Sequence, residues 1–88
     1  MSRMQTGRFS NRAEALDFLV EKYSVEGHRA RYVIRETDIS HVSFTYMKDF
    51  GGGKSGEVRY GGNGPDLSAA IVDLFAQLGE EVGEVSNA

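Results

Sequence analysis

Eighty-eight residues, 40% apolar and 26% charged, describe one small globular domain: there is no room for a second core, and too much hydrophobicity for wholesale disorder. The absence of cysteine excludes disulfides, thiolate metal sites and a cysteine nucleophile. The formal charge of −3 conceals a polarity: residues 28–60 carry Arg29, Arg31, Arg35, Lys48, Lys54 and Arg59, whereas residues 61–88 carry carboxylates and no Lys or Arg.

Residues 1–10 are polar and are expected to be flexible. The opening MSRMQTGRFSNR has no apolar stretch of signal-peptide type, and no run reaches membrane-spanning length, so a cytoplasmic protein is expected. Asn11 followed by Glu14 has the spacing of a reciprocal helix cap. Leu16, Leu19, Val20 and Tyr23 then recur as one apolar stripe, which predicts a helix over about 12–24.

From residue 28 the period falls to two. Ala30, Tyr32 and Ile34 alternate with Arg29, Arg31, Val33 and Arg35, the pattern of a half-buried strand. Thr37-Asp38 marks a turn. A second strand alternates Val42, Phe44 and Tyr46 with His41, Ser43, Thr45 and Met47. The stretch KDFGGGKSG at 48–56 follows, and Val58 and Tyr60 alternate with Glu57 and Arg59 in a short third strand. Gly61–Asp66 reads as a turn leading into a second helix, with Asp66 suited to its start. That helix carries Leu67, Ala70, Ile71, Leu74, Phe75 and Leu78 on one side and stops at Gly79. Residues 80–88 read as an acidic flexible tail, with Glu80 and Glu81 as solvated charge.

The expected fold is α+β in the order α-β-β-β-α, over residues 11–79: a three-stranded antiparallel sheet with two helices packed on one face. Ala13, Tyr32 and Ile34 join the two helix stripes and the inner strand residues in the expected core. The other sheet face is left to water, carrying Arg29, Arg31, Arg35, His41, Met47 and Arg59 among smaller residues.

KDFGGGKSG resembles the start of a phosphate loop and fails its requirements. Alignment on Gly53-Lys54-Ser55 puts Lys48 where the first glycine is needed, and a strand pattern, not a helix, follows Ser55. Three consecutive glycines exceed what a turn requires and read as a mobile loop, either a solvated, tolerant connection or, with Lys54 near its tip, one that closes on a partner. His28 and His41 have no third ligand at metal spacing, no serine sits in a nucleophile elbow, and no cofactor motif is present. No catalytic residue is assigned.

The element order resembles that of the double-stranded-RNA-binding domain over residues 11–79, in topology only. Such domains place lysines at the start of the second helix to grip phosphates. Here that position reads Gly64-Pro65-Asp66-Leu67-Ser68-Ala69-Ala70, whose only charge is negative.

The functional expectation is therefore a non-enzymatic protein-binding module. Proteins of this size often act as inhibitors or adaptors, phage-encoded inhibitors of bacterial defence systems among them. The expected contact residues are Arg29, Arg31, Arg35, His41, Met47, Lys54 and Arg59, since arginine beside apolar groups is enriched at interfaces. The alternative is a nucleic-acid-binding domain using the same basic face. Monomer and homodimer are both open.

Overall fold

A computed structural model describes residues 11–80 and shows the expected α+β order. The elements are α1 (Arg12–Tyr23), β1 (Arg31–Glu36), β2 (Ser40–Gly51), β3 (Lys54–Gly64) and α2 (Leu67–Leu78). The strands form one antiparallel sheet in the order β1-β2-β3. The N-terminal segment 1–10 and most of the acidic segment after Gly79 lie outside the described residues. None of the described helices is long and apolar enough to cross a membrane.

Both helices begin where local chemistry provides a cap. Asn11 Oδ1 accepts the Glu14 amide at 2.8 Å, and Asp66 Oδ1 accepts the Ala69 amide at 2.9 Å. The second helix ends on Gly79, in the left-handed conformation at φ 77°. Ser24 closes the first, and its hydroxyl oxygen accepts the Ala30 amide at 2.8 Å as the chain turns toward β1.

The strands are longer than the alternating pattern suggests, and glycine is the reason at both ends of β3. The ladder of β2 and β3 continues to the pair Gly51 and Lys54, so only Gly52 and Gly53 make the turn. All three glycines have positive φ, at 87°, 64° and 78°. Gly52 and Gly53 supply the two left-handed residues that a tight hairpin requires. Gly51 closes an irregularity in which Phe50 is the extra residue, held by the Gly51 amide donating to Asp49 Oδ1 at 2.8 Å. The triplet is therefore fully used by a tight turn, not a loop longer than its geometry needs.

At the other end, Gly61–Gly64 is strand, not the expected turn. Gly62 and Gly64 face α2, and the helix backbone lies directly on them. A Cβ at Gly62 would overlap the Ala70 carbonyl oxygen and stand 2.5 Å from the Leu74 nitrogen; one at Gly64 would stand 2.7 Å from the Ala70 nitrogen. Two absent side chains thus form the seam that holds α2 on β3.

The core lies between sheet and helices and is built around Phe44, Phe75, Leu19, Ile71, Leu74 and Val42. Phe18 stacks on Phe75 with centroids 6.2 Å apart, joining the helices. Tyr23 meets the edges of Phe44 and Tyr46 at 5.6 and 4.6 Å. Three expected core residues are exposed, and Tyr23, Tyr46, Val58, Tyr60, Leu67 and Leu78 are half-buried. Ala13 is exposed and Ala15 lies in the core, because the buried stripe of α1 is rotated toward Ala15, Leu16, Leu19 and Val20. Tyr32 and Ile34 face the inner side, opposite Phe44 and Val42, yet remain 36% and 38% exposed. Neither described helix closes over β1, which is exposed along its whole length.

Candidate functional site

The helices occupy one sheet face, and the register assembles the other. Across it Arg31, Thr45 and Arg59 form one row, Val33, Ser43 and Gly61 the next, and Arg35, His41 and Asn63 the third. Directly opposed residues of an antiparallel pair share a face, so the three guanidinium groups project from one surface. They surround a shallow depression of about 270 Å³ floored by Val33, Ser43 and Thr45.

The three arginines are not equivalent. Arg31 is tied down: its Nη1 and Nη2 donate to Glu57 at 3.0 and 3.5 Å, and His28 Nε2 lies 2.9 Å from the same carboxylate. Hydrogen bonds from Arg31 and then from His28 hold the Glu57 carboxyl below its ordinary pKa. Arg35 and Arg59 form no ion pair among the described residues, which leaves them as the uncompensated charges of the face.

His41 is held at both ring nitrogens, by Asn63 Oδ1 at 2.6 Å and by Ser43 Oγ at 3.0 Å. A serine hydroxyl, an imidazole and an amide oxygen in sequence have the connectivity of a nucleophile, a base and an orienting group. The complement needed for acyl transfer is a pair of converging backbone amides, and those of a sheet interior are spent in the ladder. The network fixes the imidazole beside Arg35.

Of the seven expected contact residues, Arg31, Arg35, Arg59 and His41 therefore come together. Arg29 does not join them: it precedes β1, and its Nη2 turns to Glu21 of α1 at 3.6 Å. Met47 and Lys54 lie further along the hairpin, bordering a separate shallow depression of about 390 Å³ with Val25, Asp49 and Ser55. Lys54 sits in β3 beside the turn, so it is held by the ladder and is not at the tip of an open loop.

Sequence reading overlooked Glu57 as the group that neutralises Arg31, His28 as its second partner, and Asn63 as the partner of His41. Residue alternation placed Glu57 on this face, but only the cross-strand register shows what it meets. Glu80 is also not free solvated charge. Its carboxylate accepts from Tyr23 Oη at 2.6 Å and pairs with Lys22 Nζ at 2.7 Å, and its side chain is only 12% exposed. Burial, followed by this hydrogen bond, pushes the Tyr23 phenol well above its ordinary pKa.

Among the described residues, no three His, Asp or Glu side chains gather as a metal-binding set. Comparison with protein-family models, with curated proteins and with solved structures finds no match.

Proposed function

We propose that this chain is a non-enzymatic binding module, an inhibitor or adaptor, that engages an acidic surface of a protein partner through its outer sheet face. The observation that carries this reading is the group Arg31, Arg35 and Arg59 around an aliphatic and hydroxyl floor, on a face no helix covers. Guanidinium groups pair with carboxylates in a bidentate manner and tolerate desolvation better than ammonium groups do. Val33, 59% exposed in their midst, adds apolar area of the kind that interfaces bury. The exposed aliphatic centre and the overall charge of −3 favour protein over nucleic acid, whose affinity rests on many phosphate contacts.

The test is capture of partners from nuclease-treated native lysate by the wild-type chain and by the double variant Arg35→Glu/Arg59→Glu. These two positions are chosen because reversing Arg31 would set a glutamate against Glu57. The wild type is expected to retain a protein, and the variant to lose it with unchanged circular dichroism. Equal capture by both, or a capture that nuclease abolishes, overturns the reading.

A further inference from the structure

We infer that the free edge of β1 is a strand-addition site for an extended acidic segment, with carboxylates four residues apart and apolar residues between them. This rests on the outer-face reading and names the partner's form and chemistry.

The two sheet edges differ. On β3 one outward amide is taken, since that of Asn63 donates to Asp73 of α2 at 2.9 Å. On β1 nothing comparable occurs: among the described residues, no side chain or loop hydrogen-bonds to the backbone of Arg31–Glu36 beyond its ladder with β2. Every second amide and carbonyl of this strand faces outward and is available to another chain.

The side chains of β1 specify what that chain should carry. An incoming antiparallel strand places residues opposite Arg31, Val33 and Arg35 on the outer face, and residues opposite Tyr32 and Ile34 on the inner one. The free Arg35 calls for a carboxylate at one end of this window, and a second at the other end would share Arg31 with Glu57. On the inner side, Tyr32 and Ile34 border an open groove of about 490 Å³ that continues to Leu16, Leu67 and Ala13. Apolar residues opposite them would extend over that groove, and main-chain bonds would fix their register.

Charge also disfavours one register of pairing with a second copy of this chain. Two copies of β1 in antiparallel register centred on Val33 pair residues 31–35 and oppose Arg31 to Arg35 twice. Like charges directly opposite one another are destabilising in that register.

The probe is the synthetic peptide acetyl-Ser-Glu-Val-Thr-Val-Glu-Ser-amide, titrated into the labelled full chain and followed by NMR. Saturable binding is expected, with slowed exchange at alternate β1 amides. Replacing the glutamates by glutamines should weaken it by about fivefold per carboxylate. A proline in place of the valine opposite Ile34 should abolish it, because Tyr32 and Ile34 carry the outward amides of β1 and proline there cannot complete the ladder. Absence of binding overturns the inference, as do equal binding of the proline peptide, protection confined to β3 or the helices, or concentration-dependent dimerisation without peptide. The variant Arg59→Glu, away from the edge, separates the two readings. If partner capture still depends on Arg59 while the peptide fails, strand addition falls and the outer-face interface stands.

Discussion

Replacing Gly62 by alanine tests the seam that sets the whole arrangement. The new methyl would overlap the Ala70 carbonyl oxygen and lie 2.5 and 2.8 Å from the nitrogen and Cα of Leu74. These are backbone atoms in the middle of α2, so no rotamer change relieves the clash and the helix must lift from β3. Overpacking of a filled core costs about 1–3 kcal/mol, and an obstacle made of backbone belongs at the upper end. The reduced freedom of the unfolded chain returns only about 0.4–1 kcal/mol. Against a total stability of about 4–13 kcal/mol for a chain of this length, a net loss of about 2–3 kcal/mol is large. With a urea dependence of about 1 kcal/mol/M, the unfolding midpoint followed by far-ultraviolet circular dichroism should fall by about 2–3 M. Gly61→Ala is the matched control. Its methyl would point away from α2 and press on the His41 ring, 3.0 Å from Cε1, with the Val42 carbonyl oxygen at 3.9 Å, so a loss below about 1 kcal/mol is expected. A Gly62→Ala midpoint within about 0.5 M of wild type would refute direct helix-on-strand contact.

Two further outcomes follow from single groups. Gly52→Val forces a β-branched residue to φ 64° and should cost about 1–2 kcal/mol in urea melts, whereas Gly52→Asn should be nearly neutral; equal effects would remove the left-handed turn. The raised phenols of Tyr23 and Tyr46 make stability pH-dependent on the alkaline side. Both phenols stay protonated in the fold, so their contribution is complete below the unfolded value of 10.0 and is lost as pH rises above it. Urea midpoints measured from pH 8 to 11.5 should be flat and then fall, and Tyr23→Phe should reduce the fall. A profile identical to wild type would show that Tyr23 does not titrate with folding.

What sequence revealed here is what local chemistry decides. Asn11 with Glu14, Asp66 and Gly79 mark helix ends because a cap bonds to backbone three or four residues away. Strict alternation put Arg31, Arg35, Arg59 and His41 on one face, since the pleat itself enforces it. Glycine misled, because its local message is a turn while its role at Gly62 and Gly64 is to admit another backbone. Alternation also states which way Tyr32 and Ile34 point, but not whether anything covers them. The pairings of Arg31 with Glu57, of His41 with Asn63 and of Tyr23 with Glu80 join residues distant in sequence, so no local pattern encodes them.

The uncovered surface has a geometric cause. Each twelve-residue helix spans about 18 Å, whereas the twelve residues of β2 extend about 40 Å, so the helical layer shields less than half the ribbon. Gly62 and Gly64 fix α2 near the end where β3 finishes, and α1 packs beside it through Phe18 and Phe75. The hairpin end, with Phe50 59% exposed, therefore projects beyond the helices, and β1 lies outside their cover. Every contact that carries the core, from the glycine seam to Phe44 and Tyr23, lies on the inner side. The guanidiniums of Arg35 and Arg59 lie on the other side and take part in none of them, which is why reversing their charge tests the proposed interface without disturbing the fold.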